Sequence, residues 1–291
     1  MNKYISVNVS SLHGSIKHPF HFFYGVMFPL ILLNINNDHC DNVTYILDQD
    51  IGPMFRLLFE IPLDIKIKMF TTHDATSSID LLPSDIHPPE NSLLINEDME
   101  KVTQGKAYKI TYDDCTKINN WIINKLCNFD MVIPKHDLPQ ILIIERKCNK
   151  SYETTDFDNE KINTKFKTSG AERRSIVNHN ELVNKVKNYY NANVLNISFE
   201  YLPFFEQYYL FNNAKLIIAQ HGAVLSHIIF MNKNATLIEI INRNKYNNEN
   251  WFKPISTTAK IAHHQYITNS THPEINLDSF ELFLSENNVK I

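Results

Sequence analysis

Between Pro139 and Ile241 the chain repeats one pattern: a short apolar run, an amphipathic or capped stretch, then another apolar run. Pro139–Ile144, Val194–Ile197, Lys215–Ala219 and Thr236–Ile241 are too short for buried helices. Strands that are apolar on both faces belong to parallel sheets covered on both sides. Glu181–Tyr190 carries Leu182, Val183, Val186, Tyr189 and Tyr190 on one helical face, and Asn178 with Glu181 makes a capping-box-like start. Pro203 opens a helix to Phe211, since proline suits a first turn, and Val224–Met231 reads as a short helix. Such alternation predicts an α/β fold built on a parallel sheet.

The first half is less regular. Tyr4–Val9, Val43–Leu47 and Asp64–Phe70 read as strands. Phe20–Leu33 reads as a buried helix interrupted or started near Pro29, and Met54–Glu60 and Thr116–Cys127 as further helices. Thr71–Asp98 has loop composition, and Asn149–Gly170 is polar and without period, as expected of a flexible insertion. At ~150 residues per domain, 291 residues predict two domains. The expected units are residues 1–135 and 136–291, divided near Pro134–Pro139.

Only six of the 291 residues are glycine, against a usual ~7%. They are scattered, so the G-x-G-x-x-G, P-loop and G-x-S-x-G signatures, each needing close glycines, are all missing. With 28 Lys+Arg against 32 Asp+Glu the net charge is −4, which offers no basic excess for a nucleic-acid backbone. Cys40, Cys115, Cys127 and Cys148 include no C-x-x-C pair and read as free thiols. No signal peptide, anchor or transmembrane segment is legible, so the default expectation is cytoplasmic. N-x-[ST] sequons at Asn8, Asn42, Asn149, Asn196, Asn234 and Asn269 are weak evidence of secretion in a chain this rich in asparagine.

Several residues sit where chemistry is done in α/β proteins. Gln220-His221-Gly222-Ala223 follows one apolar strand and precedes a helix, at a carboxyl strand end where ligands bind and where first-turn N–H groups suit an anion such as a diphosphate. A plain strand-to-helix turn with a surface histidine is the alternative. Glu239 lies inside the apolar run Leu237–Ile241. A buried carboxylate needs a partner: either ribose hydroxyls, or an ion pair with Arg243 or a histidine. Arg146 follows the strand ending at Ile144, and Arg173 and Arg174 precede the capped helix; guanidinium forks suit phosphate oxygens. His18 and His21 form H-x-x-H without the glutamate of a zincin, and His21 reads as either a core histidine or a general base. Asp48-Gln49-Asp50 follows a strand and resembles a divalent-metal triplet.

Four motifs in order resemble glycosyltransferase family 61: Ile141–Arg146, Arg174–Leu182, Phe205–Phe211 and Ala214–Met231. The family pattern is an arginine after a strand, R-x-I-x-N-x-x-E-L, a glutamine-bearing helix, H-G-A-G-L-[TS]-[NH]-x-x-F, and a strand ending in V-E-I. Phe20-His21 through Pro29 is similar to the family's histidine-plus-aromatic helix. Val224 stands where the family has its second glycine, and the stretch between Arg146 and Arg174 is longer than the family's gap.

The resemblance implies a GT-B-like architecture, two Rossmann-like domains whose parallel sheets face across a cleft, with the donor nucleotide on the C-terminal one. It implies an inverting, metal-independent glycosyltransferase that moves a sugar from a nucleotide-sugar, a UDP-sugar, to a hydroxyl of a glycan or protein acceptor, with no other cofactor. Carried over by position, Arg146, Arg174, His221, Gly222 and Ala223 grip the donor diphosphate, Asn178 is a further donor-binding residue, Glu239 holds the ribose, and His21 is the catalytic residue, the general base or the group that orients it. Two alternatives stay open: a degenerate, non-catalytic relative kept as a glycan- or partner-binding module, and a metal-dependent transferase using Asp48 and Asp50.

Overall fold

The computed structural model of the chain describes residues 3–7, 19–36, 43–47, 66–69, 110–127, 138–146, 174–199, 202–242 and 252–291. The chain divides into two compact units, Met1–Met131 and Val132–Ile291. The expected helix Met54–Glu60, the loop Thr71–Asp98 and the insertion at 149–170 lie outside the described residues.

In the first unit, β1 (Lys3–Val7), β2 (Val43–Leu47) and β3 (Lys66–Met69) form a parallel sheet in the order β1-β2-β3. The aromatic helix is one winding in three parts: α1 (Pro19–Phe22), a π-turn (Phe23–Met27) and α2 (Phe28–Asn36). Pro29 explains the π-turn. It has no N–H to give to the Gly25 carbonyl, so the regular i→i−4 bond cannot form there. The chain widens by one residue instead, and the Phe28 N–H bonds the Phe23 carbonyl. The sequence expectation of a break near Pro29 becomes a bulge that keeps the helix running. Phe22, Phe23, Tyr24, Met27, Phe28, Leu30 and Ile31 are fully buried. Helix α3 (Tyr112–Cys127) packs on α2 and buries Cys115, Ile118 and Ile122 at i, i+3, i+7. Thr111 and Asp114 close a reciprocal cap at its start, with Thr111 N donating to Asp114 Oδ2 at 2.9 Å and Asp114 N to Thr111 Oγ1 at 3.1 Å.

The second unit carries the site. Its elements are β4 (Ile141–Ile144), α4 (His179–Tyr190), β5 (Val194–Ile197), α5 (Phe204–Asn213), β6 (Leu216–Gln220), a 3₁₀ helix (Ala223–Phe230), β7 (Thr236–Asn242), α6 (Phe252–Thr258), β8 (Ala262–Thr268) and α7 (Leu277–Glu286). All five strands are parallel, in the order β5-β4-β6-β7-β8. That is the 2-1-3-4-5 order of doubly wound sheets, whose direction of winding reverses between β4 and β6. The α/β expectation holds, and the sequence pattern that stops at Ile241 is extended by α6, β8 and α7.

Alternation along the strands sorts the core into two layers. Ile141 and Ile143, Leu216 and Ile218, and Ile238 and Ile240 share a face with Leu182 and Val186 of α4 and Phe280 and Leu284 of α7. The opposite face presents Ile217, Ala219, Leu237 and Glu239, in the register Ile217↔Leu237 and Ala219↔Glu239. Helices α5 and α6 pack on the 3₁₀ helix. An eight-residue 3₁₀ run is unusual, and side chains support it here: Ser226 Oγ donates to the Ala223 carbonyl at 2.6 Å, and His227 Nδ1 to the Val224 carbonyl at 3.0 Å. Among the described residues no helix is long and apolar enough to cross a membrane.

His227 sits among Phe199, Phe204, Phe211 and Phe230, with ring centroids 5.2–6.2 Å away. Burial lowers its pKa from 6.5 to about 4, against a small opposing effect of the Val224 carbonyl. The imidazole is therefore neutral in the folded state and must be protonated in acid. Above pH 6.5 it adds no pH dependence. As pH falls from 6.5 through about 4 the unfolded state binds the proton first, and stability drops by about 3 kcal/mol. His227→Phe, which keeps the ring and removes the titration, is expected to flatten that limb in urea unfolding measured from pH 7 to pH 4. An unchanged limb would place the acid sensitivity elsewhere.

Candidate functional site

Arg146 and Arg174 lie 28 positions apart and converge on one atom. Arg174 Nη1 donates to the His221 carbonyl at 2.6 Å, and Arg146 Nη1 reaches the same oxygen at a long 3.4 Å. Sheet register explains the approach of Arg146. β4 pairs with β6 up to Ile144↔Ala219, so two residues further on Arg146 arrives beside His221. The Arg146 guanidinium also lies against Gly222, where any Cβ would run into it. Gly222 has an extended backbone, φ 168° and ψ 179°, so glycine is needed there for close approach and not for its dihedral freedom. Two cations and the first turn of the 3₁₀ helix thus meet at the winding reversal between β4 and β6, where doubly wound sheets bind ligands.

A shallow pocket opens at this edge, lined by Ile144, Glu145, Arg146, Ser175, Ile176, His179 and Gln220. The segment carrying Arg174 is laced to the β8–α7 connection. Ser175 N donates to the Thr271 carbonyl at 3.3 Å and Val177 N to the Pro273 carbonyl at 3.0 Å. Ser175 Oγ pairs with His272 Nδ1 at 2.8 Å. Gln220 Nε2 donates to the Thr271 carbonyl at 2.9 Å, tying β6 to the same strap. His179 Nε2 pairs with Asn196 Oδ1 at 2.8 Å.

Two of the expected site residues have their side-chain partners within the protein. Asn178 stands at the N-cap of α4 but makes no capping hydrogen bond with its side chain. Its Nδ2 donates to the Ile275 carbonyl at 2.9 Å, and its Oδ1 accepts from Ile275 N at 2.8 Å. Both ends of the amide are spent on holding the strap. Glu239 is 1% exposed, and both its oxygens are engaged by protein. Oε1 meets His221 Nδ1 at 2.5 Å; Oε2 accepts from Gln265 Nε2 at 2.8 Å and meets His263 Nε2 at 3.1 Å. Of its two sequence readings, the pairing with a histidine is the one the structure displays. Arg243 lies outside the described residues.

Register assembles this carboxylate cluster as well. Gln265 is the direct β8 partner of Glu239. His263 stands two residues back on the same face, and His221 two residues beyond Ala219, the small β6 partner of Glu239. His263 is anchored in turn by Ser256 Oγ at 2.8 Å from its Nδ1, while Lys253 Nζ donates to its carbonyl. Burial acts to raise the Glu239 pKa, but the hydrogen bonds and charges of His221 and His263 outweigh it and hold the group at about 2. Sequence reasoning missed His263 and Gln265 because they belong to an edge strand without apolar alternation; the polar run His263-His264-Gln265 was the available signal.

His21 lies on α1 in the first unit, and its side chain is outside the described residues, as are Arg173, Asp48 and Asp50. Among the described residues no group of three or more His, Cys, Asp or Glu could hold a metal ion.

A family model described as Glycosyltransferase 61 matches residues 20–238, from the aromatic helix to the strand that bears Glu239. The chain belongs to glycosyltransferase family 61. Within the family it is similar to the EGF domain-specific O-linked N-acetylglucosamine transferase of Canis lupus familiaris, 33% identical over 84 residues, 28% of this chain and 16% of that protein. The Drosophila melanogaster protein of the same name is 29% identical over 83 residues, again 28% and 16%. Similarity to the protein O-linked-mannose beta-1,4-N-acetylglucosaminyltransferase 2 of Xenopus laevis is lower but longer, 23% over 226 residues, 74% of this chain and 38% of that protein. The chain therefore spans less than half the length of these relatives.

Proposed function

We propose that the chain is an inverting glycosyltransferase that moves a sugar from a UDP-sugar to a hydroxyl of a protein or glycan, without a metal ion. In this reading its two units are the Rossmann-like domains of a GT-B enzyme, with the donor on Val132–Ile291. The observation that carries it is the convergence of Arg146 and Arg174 over His221-Gly222 at the winding reversal of the sheet. Family membership supports the reaction class, and the relatives' names, one an O-linked N-acetylglucosamine transferase specific for EGF domains and one an N-acetylglucosaminyltransferase acting on protein O-linked mannose, support an acceptor hydroxyl on a protein or on a protein-borne glycan.

The chemistry follows from those groups. A base takes the proton from the acceptor hydroxyl, whose oxygen attacks the anomeric carbon in line as the bond to the diphosphate breaks. Charge grows on the leaving oxygen, and two guanidinium forks with the first N–H groups of the 3₁₀ helix stabilise it. These fixed cations fill the place that a metal ion takes in other transferases. Glu239 holds the His221 ring, and Asn178 holds the strap beside Arg174.

Thermal unfolding with UDP, with and without a chelator, tests the donor reading. UDP at 100 times its Kd is expected to stabilise the protein by about 2.7 kcal/mol, with the shift unchanged by chelation. Loss of the shift on chelation would favour the metal-dependent alternative at Asp48 and Asp50. His21 remains the proposed base, on its position in the family's histidine-plus-aromatic helix. His21→Ala is expected to lower turnover about 10²-fold while sparing UDP binding in the same thermal assay. Retained turnover would remove it from the reaction.

A further inference from the structure

Gln220 ends β6 and lines the pocket beside Arg146. It is 5% exposed, and its side-chain amide is half satisfied. Nε2 donates to the Thr271 carbonyl at 2.9 Å, which fixes which end of the amide is which: a flipped amide would set oxygen against oxygen. Oε1 is consequently directed away from the strap, and it is buried with no hydrogen-bond partner. A buried acceptor left unmatched is costly, and on a residue that lines a pocket it can be matched by a ligand that brings a donor.

We infer that Gln220 is a donor-binding residue, its Oε1 accepting a hydrogen bond from a ribose hydroxyl of the nucleoside diphosphate. This rests on the proposed donor reading and deepens it. Arg146 borders the same pocket, and in a nucleoside diphosphate the ribose is the group bonded directly to the phosphates. A diphosphate on the arginines therefore brings ribose hydroxyls to this wall. Ile144 and Ile176 supply its apolar part, and neither can satisfy the amide. The assignment also fills the place vacated by Glu239, whose oxygens face His221, His263 and Gln265. Hydroxyl recognition moves from a carboxylate on β7 to a neutral amide on β6, one residue before the turn that carries the arginine contacts.

The test is calorimetric titration of the full chain with three probes: UDP, 2′,3′-dideoxyuridine diphosphate and inorganic pyrophosphate. The wild type is expected to bind UDP about tenfold more tightly than the dideoxy compound, the usual effect of leaving a buried acceptor unmatched. Gln220→Leu removes the acceptor at similar size. It is expected to weaken UDP about tenfold, to bind UDP and the dideoxy compound equally, and to leave pyrophosphate unchanged. Gln220→Glu keeps an acceptor but sets an oxygen against the Thr271 carbonyl and adds a negative charge beside the arginines, so it is expected to weaken all three probes while keeping the preference for UDP over the dideoxy compound. No preference in the wild type, or equal weakening of UDP and the dideoxy compound by Gln220→Leu, overturns the assignment. Binding of UDP with its hydroxyl preference but no binding of pyrophosphate would instead contradict the anion role of the arginines. No binding of UDP at all overturns both.

Discussion

Replacing Arg174 or Arg146 by alanine is expected to lower sugar transfer by about 10²–10³-fold each, the range seen when one preorganised stabiliser of a developing negative charge is removed. The two losses are not expected to add. Both guanidiniums address the same carbonyl, at 2.6 Å and 3.4 Å, so a diphosphate bound there would touch both, and residues that share one ligand couple in a double-mutant cycle. Removing the second arginine after the first should cost much less than removing it alone. Lysine at either position keeps the charge but loses the fork. It should impair turnover more than UDP binding, because the charge to be stabilised is larger in the transition state than in the ground state. Strict additivity of the two alanine variants in turnover would mean that the arginines serve separate ligands.

Glu239→Ala is expected to destabilise the second unit by about 3–5 kcal/mol, the usual consequence of removing one partner from a buried charged cluster. The carboxylate is 1% exposed and joins β7 to β6 through His221 and to β8 through His263 and Gln265. Glu239→Gln keeps the shape but sets an amide N–H against a ring N–H, so it should lose less stability and still loosen His221, weakening UDP binding. The pH dependence follows from the direction of the shift. The folded pKa lies below the ordinary value of 4.5, near 2, so the contribution is complete above pH 4.5 and is lost as pH falls through about 2. Urea unfolding of the wild type and both variants, with UDP titration of whichever variant folds, checks both effects. A Glu239→Ala protein with an unchanged urea midpoint and a selective loss of UDP over dideoxy-UDP would return the ribose role to Glu239.

What the sequence made legible follows from how local its signals are. β4, β6 and β7 stand out because they are buried on both faces and so read as continuous apolar runs. Helix α4 stands out through its single apolar face. Strand β8 does not, because it is an edge strand whose inward residues near Glu239 are His263 and Gln265, polar by necessity. The partners of Glu239 and Asn178 were hidden for the same reason. Gln265 is 26 positions from Glu239, and Ile275 is 97 from Asn178; only the fold brings them together. Each residue was singled out as special by type and place. The task each performs was set by a distant element, and local pattern suggested a ligand contact where the structure has an internal one. The arginines were easier to read, since a cation just past a strand end points towards the winding reversal whatever lies beyond it.

The central claim is that the edge between β4 and β6 receives the diphosphate of a nucleotide-sugar. A crystal structure of the chain with UDP tests it most directly. Phosphate oxygens are expected within hydrogen-bond distance of the Arg146 and Arg174 guanidiniums, beside Gly222, with the ribose against Gln220. A diphosphate bound elsewhere on the protein, with both arginines still on the His221 carbonyl, would contradict it.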